Sequence, residues 1–375
     1  MLFRSVIGHQ DIKSKLIQTV KNGRISHAQL FLGSEGSGNL AMALAYVHYL
    51  FCEDRKDDDS CGVCPSCLKN AKMVHPDVHF SFPFITKGPK DFSNNYIEPF
   101  REAVLADPYL NLIKWYAKLG EEKKQGIINV AESAEISKKL SLKAYEGGYK
   151  VSLIWMPENF IIAAANKLLK ILEEPPDNTV IILVAHEPEK MLKTILSRTQ
   201  LVLIPRLSDL EVTQGLISKF EMESELAANL AAVSDGNYFM ARESALNAQS
   251  INENFELFRD WMRLCFKKDI KGVTGWIQNI ATIGREKQKH FLNYGLHLVR
   301  QCAVLNYGVE NLVNMGGDER VFMQKFAPFV THDNLQQYIE TFNLAHQHIQ
   351  RNANPRILFT DLSFEVLVML NSVGK

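Results

Sequence analysis

A chain of 375 residues has room for two or three domains with hydrophobic cores. Its 46% hydrophobic and 22% charged residues exclude a disordered chain, and no apolar run reaches the roughly 18 residues of a membrane span. Lys+Arg and Asp+Glu both total 42, so bulk charge does not draw the chain to nucleic acid, although a local patch could.

The first residues, Met1-Leu2-Phe3-Arg4-Ser5-Val6, run straight into charged helical sequence. No signal peptide is expected, and the cytoplasm is the default location. Ile12, Leu16, Ile17 and Val20 recur at helical spacing and predict an amphipathic helix ending near Gly23. The apolar run Gln29-Leu30-Phe31-Leu32 predicts a buried strand, and residues 40–45 predict a helix. The join between them looks like a phosphate-binding loop. A loop of the form G-x-x-x-x-G-K-[ST] starting at Gly33 would place lysine at 39 and a hydroxyl residue at 40. The chain has Asn39 and Leu40 instead. Gly33, Gly36 and Gly38 keep a backbone cradle able to accept an anion weakly, with Asn39 at its edge. The charge that neutralises phosphate and the hydroxyl that binds magnesium are both gone, so a nucleotide is not expected here.

Cys52, Cys61, Cys64 and Cys67 follow, spaced C-x8-C-x2-C-x2-C. In a reducing compartment this spacing points to a metal more than to disulfides. Four thiolates satisfy tetrahedral zinc and leave no open position for water, which makes the site structural and not catalytic. The alternatives are four unliganded thiols, or His75 or His79 in place of one cysteine. Residues 87–96, with Gly88, Pro89, Ser93, Asn94 and Asn95, read as a surface loop. Phe80, Phe82, Phe84, Tyr109 and Trp115, within residues 80–125, either pack locally or meet a partner.

A helical stretch carries Ile128, Val130, Ile136 and Leu140. The runs Val151–Trp155, Val180–Ala185 and Leu201–Ile204 then predict buried strands separated by helices. Strand alternating with helix implies a parallel sheet covered on both faces. Pro205 ends the pattern, and Ser208-Asp209-Leu210-Glu211 offers a capping box for a new helix. Beyond it no strand is predicted. A small helical unit ends near Asp235-Gly236. A longer helical region covers 250–375, with periodic apolar residues such as Phe255, Phe258, Met262 and Cys265. Cys265 and Cys302 sit on apolar helical faces and are expected to be small buried side chains.

Several separate segments share one resemblance. Residues 166–176, Asn-Lys-Leu-Leu-Lys-Ile-Leu-Glu-Glu-Pro-Pro, resemble the N-x-L-L-K-x-L-E-E-P-P signature of bacterial clamp-loader AAA+ subunits. Thr194-Ile195-Leu196-Ser197-Arg198-Thr199 resembles their T-I-L-S-R-C segment. Ile7-Gly8-His9-Gln10, Gly23-Arg24, His27-Ala28, the four-cysteine spacing and Asn352-Ala353-Asn354-Pro355-Arg356 fit the same family. The resemblance covers the chain apart from an insertion at about 80–125. It implies an α/β AAA+ core with a parallel sheet over 1–206, carrying an inserted zinc module at 52–67. A small helical lid over 207–249 and an all-helical collar over 250–375 would complete the chain.

The same resemblance locates what is missing. The family's ATPases place an aspartate and a glutamate after the strand at 151–154; here Trp155 and Met156 stand there. Glu158 is displaced by two residues and reads as a surface residue. The lid arginine expected at position 239 is Phe239, and Arg242 is out of register. Without lysine, metal ligands and sensor, no intrinsic ATPase activity is expected, because phosphoryl transfer depends on positioning and charge stabilisation. What remains is Arg198, with Ser197 beside it. The resemblance implies an arginine finger reaching a neighbouring ATPase; the bland alternative is a solvated arginine at a helix end. Residues 168–176 read as a structural amphipathic helix ended by two prolines, with Lys167 and Lys170 facing either DNA or water.

The implied function is that of a non-catalytic member of the loader, part of a DNA polymerase III holoenzyme. Its partners would be gamma/tau and delta subunits, with the sliding clamp and primed DNA met through the assembled complex. The competing readings are an active gamma/tau-type ATPase and a zinc-dependent DNA-binding protein.

Overall fold

The computed structural model describes residues 1–88, 91–121, 124–246, 249–306 and 317–372. Residues 89–90 of the predicted surface loop and 122–123 of the insertion lie outside the described residues. The chain divides into two compact units. The first comprises Met1–Gly215 and Gly236–Phe239, and the second Leu216–Asp235 and Met240–Lys375. No helix among the described residues is long and apolar enough to cross a membrane.

The first unit is built on a parallel sheet. In chain order it contains α1 (Gln10–Lys21), β1 (Ala28–Leu32), α2 (Asn39–Phe51), α3 (Pro65–Ala71), β2 (Val78–Ser81), α4 (Ile97–Ala106) and α5 (Leu112–Lys118). Then come α6 (Val130–Ser141), β3 (Lys150–Trp155), α7 (Ile162–Glu173), β4 (Thr179–Ala185), α8 (Lys193–Leu196), β5 (Gln200–Leu203) and α9 (Asp209–Phe220), whose residues from Leu216 on belong to the second unit. The strand order is β2-β3-β4-β1-β5, and every pairing is parallel. β3 and β4 are buried at every position, as expected of strands with helices on both faces. Helix α2 packs on β1 and β4, and α6 packs on α7.

Two strands depart from the sequence reading. β2 was not foreseen, because Val-His-Phe-Ser alternates apolar and polar residues as a strand does but over only four residues. β5 was expected to be buried, yet it is an edge strand with Leu201 56% and Leu203 59% exposed. Its apolar run continues one residue further to Ile204, which is buried. Apolar composition therefore reported a strand correctly and its burial wrongly.

The insertion packs locally. Phe80, Phe82, Phe84, Tyr109 and Trp115 are all buried. Phe82 and Phe100 stack with ring centres 3.8 Å apart, and Trp115 meets both edge-on at 5.2 and 5.3 Å. Trp115 donates its Nε1–H to the Pro83 carbonyl at 2.7 Å, which satisfies the one polar atom of the cluster's indole. Phe100 also lies 5.7 Å from Trp155, so the aromatic cluster rests on the end of β3.

The second unit is helical among its described residues. It holds α10 (Ser224–Ser234), α11 (Tyr238–Leu246, whose first two residues belong to the first unit), α12 (Gln249–Lys267) and α13 (Ile270–Ile280). They are followed by α14 (Arg285–Asn306), α15 (Gly317–Phe326), α16 (His332–Gln350) and α17 (Pro355–Ser372). Trp261 and Trp276 stack at 4.8 Å in its core, where Cys265 and Cys302 are buried as expected. The Asn354-Pro355-Arg356 segment has a local cause. Asn354 accepts the Arg356 N–H at 3.0 Å and Pro355 is the first helical residue, so the motif starts α17.

Truncating the centre of the aromatic cluster should cost the most. Phe100→Ala should destabilise the first unit by about 3–5 kcal/mol, read as the shift in its urea midpoint.

Candidate functional site

The glycine loop joins the end of β1 to α2, at the carboxyl ends of the parallel strands. In open α/β sheets ligands bind in this region. Gly36 and Gly38 have φ of +77° and +90°, conformations that side chains with a Cβ rarely adopt. Neither glycine faces open space. A Cβ on Gly36 would collide with the Asn237 side chain, and one on Gly38 would lie 2.9 Å from the Tyr109 ring. The Tyr238 N–H donates to the Gly36 carbonyl at 3.2 Å, and His9 Nε2 lies 2.8 Å from the Ser37 carbonyl. Tyr109 and Tyr238 meet edge-on at 4.9 Å, and the Ile7 N–H donates to the Tyr109 hydroxyl at 2.9 Å. The space over the loop is thus filled by Tyr109 of the insertion and by Asn237–Tyr238.

Asn39 occupies the lysine position and points inward. It is 3% exposed. Its Nδ2 donates to the Ala185 carbonyl at the end of β4 (2.9 Å) and to the Gly33 carbonyl (3.3 Å). Its Oδ1 accepts the Leu40 N–H at 2.9 Å and lies 3.3 Å from His186 Nε2. The amide is committed to the protein and offers no positive charge to a phosphate. Leu40 is buried as well.

The positions where the resemblance implies two carboxylates belong to the core. Trp155 and Met156 are buried, with Trp155 under the Phe100 ring. Phe239, at the position expected for a sensor arginine, is buried with the Lys114 ammonium 5.3 Å from its ring centre. Arg242 is buried beside Glu243, its Nη2 3.1 Å from Oε1.

Glu158 is not the surface residue that its displacement suggested. Its Oε1 accepts the N–H groups of His186 (2.9 Å) and Glu187 (3.3 Å), and its Oε2 is buried without a partner. The 3-10 turn at Pro157–Asn159, entered through Met156 at φ +56°, folds the side chain back against the loop after β4. Burial pushes its carboxyl up to about 7, only partly offset by the two amide donors. Burial holds the His186 imidazole down at about 4, and hence neutral near pH 7.

Arg198 follows α8 directly and is partly exposed. Leu172 and Ile171 on α7, and Ile195 on α8, share one core, which fixes the two helices against each other. The guanidinium Nε donates to Glu173 Oε1 at 2.7 Å, and Nη2 lies 2.6 Å from the same oxygen. Nη1 donates to the Thr194 carbonyl (3.0 Å) and to Ser197 Oγ (3.3 Å). Ser197 Oγ in turn donates to the Thr194 carbonyl at 3.2 Å. Arg198 and Glu173 are both substantially exposed, as are Lys167 and Lys170. The exposed leucines of β5 follow directly in sequence.

The four cysteines form a second site. Their sulfur atoms all lie within 4.8 Å of one another, and Cys61 and Cys67 are 3.8 Å apart. A tetrahedron with metal–sulfur bonds of about 2.3 Å has sulfur–sulfur edges of about 3.8 Å, so this pair already has that spacing. Backbone N–H groups point at the sulfurs: Val63 and Cys64 donate to Cys61, Cys67 to Cys64, and Cys61 to Cys52. Amide donors favour thiolates, and those of Val63 and Cys64 bring the Cys61 thiol down to about 6. The donor set fits a single ion. His75 is turned away toward Glu146, with Nε2 3.3 Å from its carboxylate.

Comparison with known proteins gives a consistent family. The sequence model of the family described as "DNA polymerase III, delta subunit" matches residues 8–208. "DNA polymerase III subunit delta'" of Escherichia coli K12 is 28% identical over 247 residues, 62% of this chain and 62% of that protein. The Yersinia pestis protein of the same name is 31% identical over 186 residues, 49% of this chain and 43% of that protein. "DNA polymerase III subunit gamma/tau" of Mycobacterium tuberculosis H37Rv is 27% identical over 197 residues, 52% of this chain and 27% of that protein. The chain thus matches less than two thirds of the length of each.

The buried Glu158 has a pH signature. Its folded value lies above the ordinary 4.5, so the folded chain holds this proton more tightly than the unfolded chain. The associated stability is present below pH 4.5 and is lost as pH rises through about 7. Glu158→Gln removes that loss. Its stability relative to the parent chain should therefore rise between pH 5 and pH 8, by up to about 3 kcal/mol, in paired urea titrations.

Proposed function

Because this chain belongs to the DNA polymerase III delta-subunit family, we propose that it is the delta-prime type of subunit: a non-catalytic AAA+ member of the clamp loader. In this reading it assists ATP-dependent loading of the sliding clamp onto primed DNA. It does so by donating Arg198 to the active site of a neighbouring ATPase subunit. Gamma/tau and delta subunits are its partners, and it meets clamp and DNA through the assembled complex. The region 207–249 would serve as the lid and 250–375 as the collar that joins the subunits.

One observation carries the reading. Arg198 is presented on an exposed rim next to an edge strand with bare Leu201 and Leu203, while the chain's own glycine loop is covered by Tyr109 and Asn237. An unpaired apolar edge beside a guanidinium suits a surface that another subunit covers. An arginine supplied in trans stabilises charge on the transferring phosphoryl group, worth roughly 10³–10⁵ in rate.

The gamma/tau relative favours a second reading, an ATPase in its own right. The inward-turned Asn39, the buried Trp155 and Met156 and the buried Phe239 all weigh against it. Turnover of ATP by the isolated chain would restore it.

Zinc in the four-cysteine cluster is part of the proposal. Cys52, Cys61, Cys64 and Cys67 would hold it with no ligand position left for chemistry. The metal would add a cross-link between the end of α2 and the start of α3.

Two measurements test these roles. In a loader reconstituted with its ATPase subunits, Arg198→Ala should lower turnover at the site it faces by roughly 10³-fold or more without impairing assembly. Unchanged turnover would leave Arg198 a surface arginine. Metal analysis of the purified chain should find one zinc per chain, and its removal by chelator should lower the melting temperature. A chain with no zinc and an unchanged melt would remove the metal from the reading.

A further inference from the structure

The structure assigns Glu173 a role that its motif did not suggest: it is a latch that holds Arg198 against its own subunit until a neighbour's phosphate competes for the guanidinium. This inference rests on the reading of Arg198 as a finger.

All three nitrogens of the guanidinium are engaged within the chain. Nε and Nη2 share one carboxylate oxygen of Glu173, at 2.7 and 2.6 Å, and Nη1 is held by the Thr194 carbonyl and Ser197 Oγ. The Thr194 carbonyl lies one helical turn before the arginine, so the side chain is folded back along α8. A finger that must reach another subunit has to leave these partners.

The placement of Glu173 points the same way. It is the last residue of α7, followed within three residues by Pro175 and Pro176, which stop the helix. A carboxylate at a helix C-terminus faces the negative end of the dipole and is unfavourable there without a cation. Arg198 is that cation. The two residues are 25 apart in sequence and meet because Ile171, Leu172 and Ile195 pack in one core beneath them. The buried core sets the distance, and the exposed charges make the contact reversible.

The strength of the latch suits a switch. Both partners are solvent-accessible, with side-chain exposures of 36% for Arg198 and 49% for Glu173, so water and salt weaken the pair. Exposed pairs of this kind shift an equilibrium by roughly two- to five-fold. A phosphate carrying more than one negative charge, in the lower dielectric of an interface, out-competes a single exposed carboxylate. Engagement would therefore follow the closing of the neighbouring site. The latch would hold down turnover when that site is not assembled on DNA.

Glu173→Gln tests this, because it keeps the size of the side chain and one acceptor oxygen and removes the charge. Two readouts are paired. In the isolated chain, the Arg198 Nε–H proton should exchange with water several-fold faster in E173Q, as followed by nitrogen-15 NMR. In the reconstituted loader, E173Q should raise DNA-independent ATP turnover by about two- to five-fold and leave DNA-stimulated turnover close to the parent value. R198A and the double variant should be equally low, since a latch without its arginine has nothing to release.

The outcomes separate the two ideas. Parent-level turnover in R198A would overturn the finger reading and this inference with it. Low turnover in R198A with DNA-independent turnover in E173Q at or below the parent level would overturn the latch alone. Unchanged Nε–H exchange in E173Q would also overturn it, whatever the turnover.

Discussion

The side-chain amide of Asn39 ties the glycine loop to the end of β4. It donates to the carbonyls of Gly33 and Ala185 and receives the N–H of Leu40. Buried backbone groups must find partners, and here one short neutral side chain serves three of them. A lysine is longer, charged and able only to donate. The Asn39 amide closes the loop on itself. Its surroundings are apolar as well: Trp155 and Met156 are buried, and Tyr109 lies over Gly38. The strand-loop-helix joint survives as structure.

The interactions that hold this unit together differ in kind from the one that holds Arg198. Each large buried side chain of the Phe82–Phe100–Trp115–Trp155 cluster contributes on the order of 1.5–3 kcal/mol by leaving water. The exposed Arg198–Glu173 pair belongs to a class worth about 0–1 kcal/mol. The cluster therefore sets where α4, α5 and the end of β3 sit, while the pair contributes little to folding and exchanges easily.

Some of the site was legible in residue order and some was not. That Asn39 and Leu40 stand where a phosphate-binding loop would carry lysine and a hydroxyl needed only the spacing of glycines between a strand and a helix. The cysteine spacing likewise announced its cluster, because a C-x2-C turn constrains its sulfurs locally, and those sulfurs do converge. The Ser208–Glu211 capping box also formed as read, with Ser208 N–H donating to Glu211 Oε2 at 2.8 Å. Its second carboxylate oxygen was not legible: it accepts the N–H of His9, 202 residues away. The burial of Glu158 was hidden too, since it depends on amides at 186 and 187 that only the sheet brings close. The exposure of Leu201 and Leu203 depended on β5 taking an edge of the sheet, and composition carries no record of sheet order.

What residue order determined by itself was local: most of the strands and helices though not β2, the capping box at Ser208–Glu211, which residues stand at 39 and 40 of the loop, and which four thiols can share an ion. These follow from periodicity, capping and short-range spacing, which act over a few residues. Tertiary structure alone decided that Tyr109 covers the glycine loop, that the Glu158 carboxyl is enclosed, and that Glu173 holds Arg198. Each joins residues far apart in sequence, and the core packing that positions them is a property of the whole unit.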